Sequence, residues 1–226
     1  MRVRTKYLLV LFILLFLLIS PYILYKTLNN KDDRINQLTD SEMHEIVLKR
    51  EKNYEEYLLE VPKDIVALQE LIRIKSMLEK YEEALQLGLK LIDLDPENQM
   101  SYYQMANIHM KLKEWDSMIK YREKSFEIEK TPDTLYYLST SYIVKDATYA
   151  LELLNEMELD DEFLSRYKQS LQEYVEENNV QTIRNLIEFM PDTVLMDEII
   201  KRRIDETTLA NELEELEKLR SVINAY

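Results

Sequence analysis

The sequence predicts an all-α protein: a single N-terminal transmembrane helix followed by an α-solenoid of helix hairpins. Three observations carry this. The 226 residues include one glycine, five prolines and no β-type alternation, so helices account for the chain. Between Ile65 and Pro132 the sequence repeats itself at a 34-residue step. From Tyr7 to Tyr25 only Ser20 and Pro21 interrupt an apolar and aromatic run.

That run comes first in the chain. At about 1.5 Å per residue it covers roughly the 30 Å hydrocarbon core of a bilayer. Leu8, Phe12 and Phe16 lie within it, while Tyr7, Tyr22 and Tyr25 sit where interfacial aromatics are favoured, bracketed by Lys6 and Lys26. Its apolar part is longer than a signal peptide's, and no small-x-small cleavage site follows, so residues 1–26 read as a retained signal anchor with a single pass through the cell membrane. Arg2, Arg4 and Lys6 precede the span, against Lys26, Lys31 and Arg34 after it. The positive-inside rule then places the short N-terminus in the cytoplasm and the C-terminal domain outside.

Residues 27–40 are polar and read as a juxtamembrane linker. Asp40 or Ser41 can accept the free N–H groups of a helix that begins there and runs to Glu60, before Pro62. Ile46, Val47, Tyr54, Tyr57, Leu58 and Val61 form its apolar side, which makes it a half-unit covering the first full repeat.

The repeat domain spans 41–191. Lys80-Tyr81-Glu82-Glu83-Ala84-Leu85 matches Glu114-Trp115-Asp116-Ser117-Met118-Ile119 at the step of 34, and Leu71 with Met105, Ile72 with Ala106 and Leu94 with Ile128 follow the same step. Pro62, Pro96 and Pro132 mark the breaks. A period of this size means helix, turn, helix, stacked on copies of itself. The stretch Tyr81-x-x-Ala84 followed by Leu91-Ile92-x-Leu94-Asp95-Pro96 resembles the second helix and closing proline of the tetratricopeptide repeat (TPR) family. The Trp usual early in that motif's first helix is Leu68 and Tyr102 here, and the glycine usual in its turn is Glu79 and Lys113.

In that family a stripe on the first helices lines a concave groove that holds a peptide. The resemblance therefore implies a partner-binding groove formed by Gln69, Arg73 and Ser76 in one unit and Tyr103, Asn107 and Met110 in the next. A step of 33 continues it to Tyr136, Thr140 and Ile143. Arg73 and Asn107 can hydrogen-bond a peptide backbone or carboxylate, but the family's carboxylate clamp needs more cations in register than these. Gly88, the one glycine, falls inside a helix, where close helix approach accounts for it and no function is assigned to it; its counterpart one repeat later is Arg122, so the two units do not need the same size there.

A shorter third unit runs from Pro132 to Leu159, and Phe163 to Val175 with Val180 to Met190 make a degenerate fourth. Residues 192–226 are predicted as C-terminal capping or docking helices, with Leu209, Leu213, Leu216, Leu219 and Ile223 as an apolar seam. Capping the last repeat is the favoured role; homo-oligomer formation or docking to another protein through 206–224 is the other.

Charge and chemistry narrow the partners. Beyond the four bases of residues 1–26 the chain carries 43 acids against 25 bases, a balance of −18 that repels phosphate backbones, so nucleic acid is excluded as a partner. No cysteine is present, and His44 and His109 lie in separate helices; no nucleophile, metal, cofactor or phosphate motif stands out, and no enzyme is expected. A protein-interaction scaffold held on a membrane, serving assembly, export or regulation of a complex, is the resulting expectation. A cytosol-facing receptor for targeting peptides and an accessory subunit of a membrane enzyme are the alternatives. The Lys, Glu, Ile and Tyr bias is that of a bacterial cell-surface protein.

Overall fold

A computed structural model describes residues 39–156, 161–190 and 192–225. The predicted anchor at 7–25 and most of the linker lie outside these. Among the described residues no helix is long and apolar enough to cross a membrane. The chain divides after Arg50 into two units. Of the first, the structure describes 39–50, the opening half of α1 (Asp40–Glu60).

The cap of α1 is Thr39, one residue before the expected pair. Its hydroxyl accepts the Glu42 amide at 3.3 Å while the Glu42 carboxylate accepts the Thr39 amide at 2.8 Å, a reciprocal capping box. The expected apolar side of α1 is also corrected. Ile46, Tyr57 and Val61 are exposed, and the buried positions are Val47, Glu51 and Leu58, so a carboxylate occupies the inward face.

Beyond Arg50 the described helices follow as hairpins: α2 (Ile65–Met77) with α3 (Tyr81–Leu94), α4 (Gln99–Lys111) with α5 (Trp115–Ile128), α6 (Pro132–Ile143) with α7 (Ala147–Asn155), α8 (Glu162–Glu177) with α9 (Val180–Ile187), and α10 (Thr193–Glu206) with α11 (Ala210–Ile223). Each of the first four hairpins packs on the next or on its neighbour's first helix, as stacked units that cannot bury their own apolar faces must. Leu68, Leu71 and Ile72 in α2 and Tyr102, Met105 and Ala106 in α4 are all buried at the 34-residue step.

Asp64 caps α2, accepting the Ala67 amide at 2.9 Å, and its second oxygen accepts the Tyr57 hydroxyl at 2.8 Å, which ties the end of α1 to the start of α2. Glu79 and Lys113, where the resembling family has glycine, both take φ 58°, so the turns keep their left-handed geometry with a side chain in place. Gly88 meets α4 closely: a Cβ there would fall 2.2 Å from Met105 Sδ.

The C-terminal hairpin is anchored by chemistry the apolar seam did not show. Leu216 and Ile223 join Val180, Ile183 and Ile200 in one core cluster, whereas Leu209 precedes α11 and is exposed. Arg220 Nε donates to Asp197 Oδ1 at 2.6 Å, and with Asn224 it holds that carboxyl below its ordinary range.

Candidate functional site

The groove residues divide into those that meet around one cavity and those that do not. Arg73, Tyr103, Asn107 and Met110 line a cavity of about 320 Å³, joined by Tyr137 and Arg122. Gln69 lies off it: its amide donates to Asn98 Oδ1 at 3.2 Å and its backbone carbonyl accepts from Gln104 at 3.1 Å, so it joins α2 to α4. Thr140 is 1 % exposed and its hydroxyl turns back to the Tyr137 carbonyl at 3.0 Å. Tyr136 packs edge-on to Phe163 and Tyr167 and donates its hydroxyl to the Phe189 carbonyl.

The reason is register. The first helices begin at Gln99 and Pro132, a step of 33, because the connection into α6 is one residue shorter than that into α4. The side chain facing the cavity nevertheless stays at the step of 34, which gives Tyr137 from Tyr103. Tyr136 belongs to the core that α6 shares with α8 and the segment after α9.

That segment also borders the cavity on one side. Asp192, at the N-terminus of α10, caps its own helix by accepting the Val194 amide at 2.8 Å and takes Lys111 Nζ at 2.5 Å on its other oxygen. A second contact, Lys113 to Asp197 at 3.7 Å, lies alongside. The fifth hairpin therefore reaches back to the end of α4, and what the stripe predicts as an open groove is a pocket bounded by α2, α4, α5, α6 and Asp192.

Arg122 stands one repeat after Gly88 and lies outside the stripe that predicts the groove. It comes from α5, a second helix, and is 3 % exposed. Its guanidinium carbon lies 4.3 Å from the Tyr103 ring centre and 4.7 Å from that of Tyr137, and Nη2 donates to Asn107 Oδ1 at 2.5 Å. Tyr103 and Tyr137 meet edge to face at 4.8 Å. Burial pulls the guanidinium down to about 10, against the two tyrosines, which favour its charged form. A hydrogen bond with Tyr103, together with burial, pushes Tyr137 up to about 12. The sequence offers little signal for it: Arg122 falls one repeat after Gly88, which the structure buries, but that burial is not written in the sequence.

Other ionisable clusters are satisfied. Lys75 Nζ contacts Glu51 at 2.9 Å, Glu55 at 2.7 Å and Glu83 at 2.6 Å, and Lys80 adds to Glu51 at 2.7 Å. The three carboxylates approach as metal ligands would, but the Lys75 ammonium already stands among them. His109 stacks on Tyr121 and its Nδ1 lies 2.6 Å from Glu114, a partnered histidine at the edge of a helix turn.

No family model matches the chain, and no curated protein matches it. Among solved structures the chain is similar to YrrB, described as a TPR protein with an unusual peptide-binding site, at 18 % identity and a TM-score of 0.47 over 76 % of this chain and 92 % of that one.

Proposed function

We propose that the protein is a TPR-like scaffold that binds a short extended segment of a partner protein in the pocket between α2, α4 and α6, and that residues 1–26 hold it on the membrane. The observation that carries this is the convergence of Arg73, Tyr103, Asn107 and Tyr137, from three successive first helices, on one open cavity. Two aromatic faces and an amide give a peptide both apolar contact and hydrogen bonds, and a volume of about 320 Å³ is at the small end of ligand sites, suited to a few side chains rather than a folded surface. Assembly, export or regulation of a membrane-associated complex is the setting that an anchored, non-catalytic binding module fits. The apolar run at 7–25, with its flanking lysines and tyrosines, supports the anchor.

Selection of a random peptide library on the full chain in detergent micelles, followed by calorimetry of the enriched peptides, tests the pocket. Tyr103→Ala is expected to weaken binding at least tenfold, and the pair Tyr103→Ala with Asn107→Ala further, since interface hot spots cost about 2 kcal/mol or more. Enriched peptides that bind the double variant as well as the parent would remove the pocket from the reading. In the same protein, single cysteines at positions 4 and 117 probed in intact cells with an impermeant thiol reagent report the membrane side. Labelling at 117 alone is expected, and labelling at 4 alone reverses the orientation.

A further inference from the structure

The pocket contains one positive charge that nothing in the described structure balances. Of its three lining cations, Lys111 is paired with Asp192 at 2.5 Å and Arg73 with Glu70 at 2.8 Å. Arg122 has no carboxylate within ion-pair distance among the described residues, and its Nε and Nη1 have no hydrogen-bond acceptor. The Tyr103 and Tyr137 faces offset part of the desolvation through cation–π attraction, but a ring face is a far weaker acceptor for those N–H groups than an oxygen. A buried guanidinium with idle donors destabilises the free protein and is poised for an oxyanion.

We infer that the pocket is an oxyanion site in which Arg122, oriented by Asn107 and flanked by the two tyrosines, takes a single carboxylate of the bound peptide. This rests on the peptide reading above for the origin of the carboxylate and deepens it by naming the group recognised. A monoanion is favoured over phosphate because only one charge is uncompensated, while the Asp192 carboxylate at the rim and the balance of −18 outside residues 1–26 oppose a dianion more strongly. Nε and Nη1 are covered by neighbouring atoms, so the carboxylate meets them after a tyrosine ring swings off the guanidinium. The aromatic pair is then the gate as well as the wall.

The site is a private feature of one unit. The preceding hairpin places Gly88 against Met105; one repeat later, the corresponding residues are Arg122 and Ser139. The bulky member has changed helix, and with it a charge has entered the stack.

Thermal melts of the full chain in micelles, at constant ionic strength, with acetate or inorganic phosphate replacing chloride, test the proposal. Acetate is expected to raise the wild-type midpoint by a few degrees and to alter the tyrosine near-ultraviolet circular dichroism, phosphate less so, and Arg122→Met to respond to neither. A wild-type midpoint indifferent to acetate, an equal response in Arg122→Met, or a larger response to phosphate overturns it. If Arg122→Met does not fold, the wild-type series decides alone. Peptides enriched on the pocket supply the second arm: each Asp→Asn or Glu→Gln change and C-terminal amidation is measured singly. A tenfold or greater loss in one of them names a side-chain or terminal carboxylate as the source. No loss in any overturns the carboxylate while leaving the peptide reading standing; an acetate response without any enriched peptide does the reverse.

Discussion

Gly88 and Arg122 occupy one position of the repeat, and the same burial acts on them in opposite ways. At 88 the missing side chain admits Met105, which is 1 % exposed. Alanine there would gain about 1 kcal/mol of helix propensity but force Met105 aside in a filled core, at about 1–3 kcal/mol. With Sδ 2.2 Å from the added Cβ, the steric term wins. Gly88→Ala is expected to lower stability by about 1 kcal/mol, and Met105→Val in that background to recover it, whereas Met105→Val alone destabilises; denaturant melts of the four proteins measure the coupling. A Gly88→Ala variant more stable than its parent would show the contact to be loose. Single residues are also where the sequence is least legible. Apolar positions at the 34-residue step are legible because burial repeats with the fold. The pattern points to Tyr136 rather than Tyr137 because helix starts and side-chain register differ by one residue between α4 and α6, and apolar pattern does not distinguish two adjacent tyrosines. Arg122 escapes it because a charge in a sequence carries no label saying that it is buried.

Between elements, apolar stripes are supplemented by charges that periodicity does not rank. The sequence presents α1 as a cover for the first hairpin, and Tyr54 and Leu58 do join the Leu68 and Leu71 cluster. What the apolar pattern hides is the Glu51–Lys75 pair, both nearly excluded from solvent. Burial alone would raise Glu51, but hydrogen bonds from Lys80 and Lys75 outweigh it and leave the carboxyl below its ordinary range. Lys75 is held above its own, its carboxylate partners overriding burial. The signs follow from linkage. Glu51 contributes stability above its unfolded value of about 4.3, lost as pH falls through the lower folded value; Lys75 contributes below about 10.4, lost as pH rises through the higher folded one. Lys75→Met leaves Glu51 buried with Lys80 alone and is expected to cost about 3 kcal/mol at pH 7 and to flatten the stability profile on both flanks. Adding Glu51→Leu should restore most of the loss, because the buried carboxylate, left with Lys80 as its one cation, leaves with it. If the double variant is no more stable than Lys75→Met, the ion pair is not what the single change removed.

At the scale of the molecule, the 34-residue step orders the hairpins but does not say where the array ends its own groove. Nothing local in Lys111 or Asp192 announces a contact between helices so far apart in the chain, and the apolar seam presents the α10 hairpin as a cap or a docking surface. The return contact turns a stripe that could have run the length of the array into a pocket of about 320 Å³. Asp192 does two things at once, and they can be separated. Asparagine caps a helix about as well as aspartate, so Asp192→Asn keeps α10 and removes the ionic tie, whereas Asp192→Ala removes both. The alanine variant should lose about 1–2 kcal/mol more than the asparagine one. A cycle with Lys111→Met isolates the tie itself. The pair is partly shielded, with Asp192 more covered than Lys111, so a coupling of about 0.5–1.5 kcal/mol is expected, above that of most surface pairs. Broken, the tie should also speed amide exchange over the first turn of α10 and admit longer peptides to the pocket. Additive single variants, with exchange in α10 unchanged, would mean that the apolar core shared by α6, α8 and α10 closes the pocket without help from the charge.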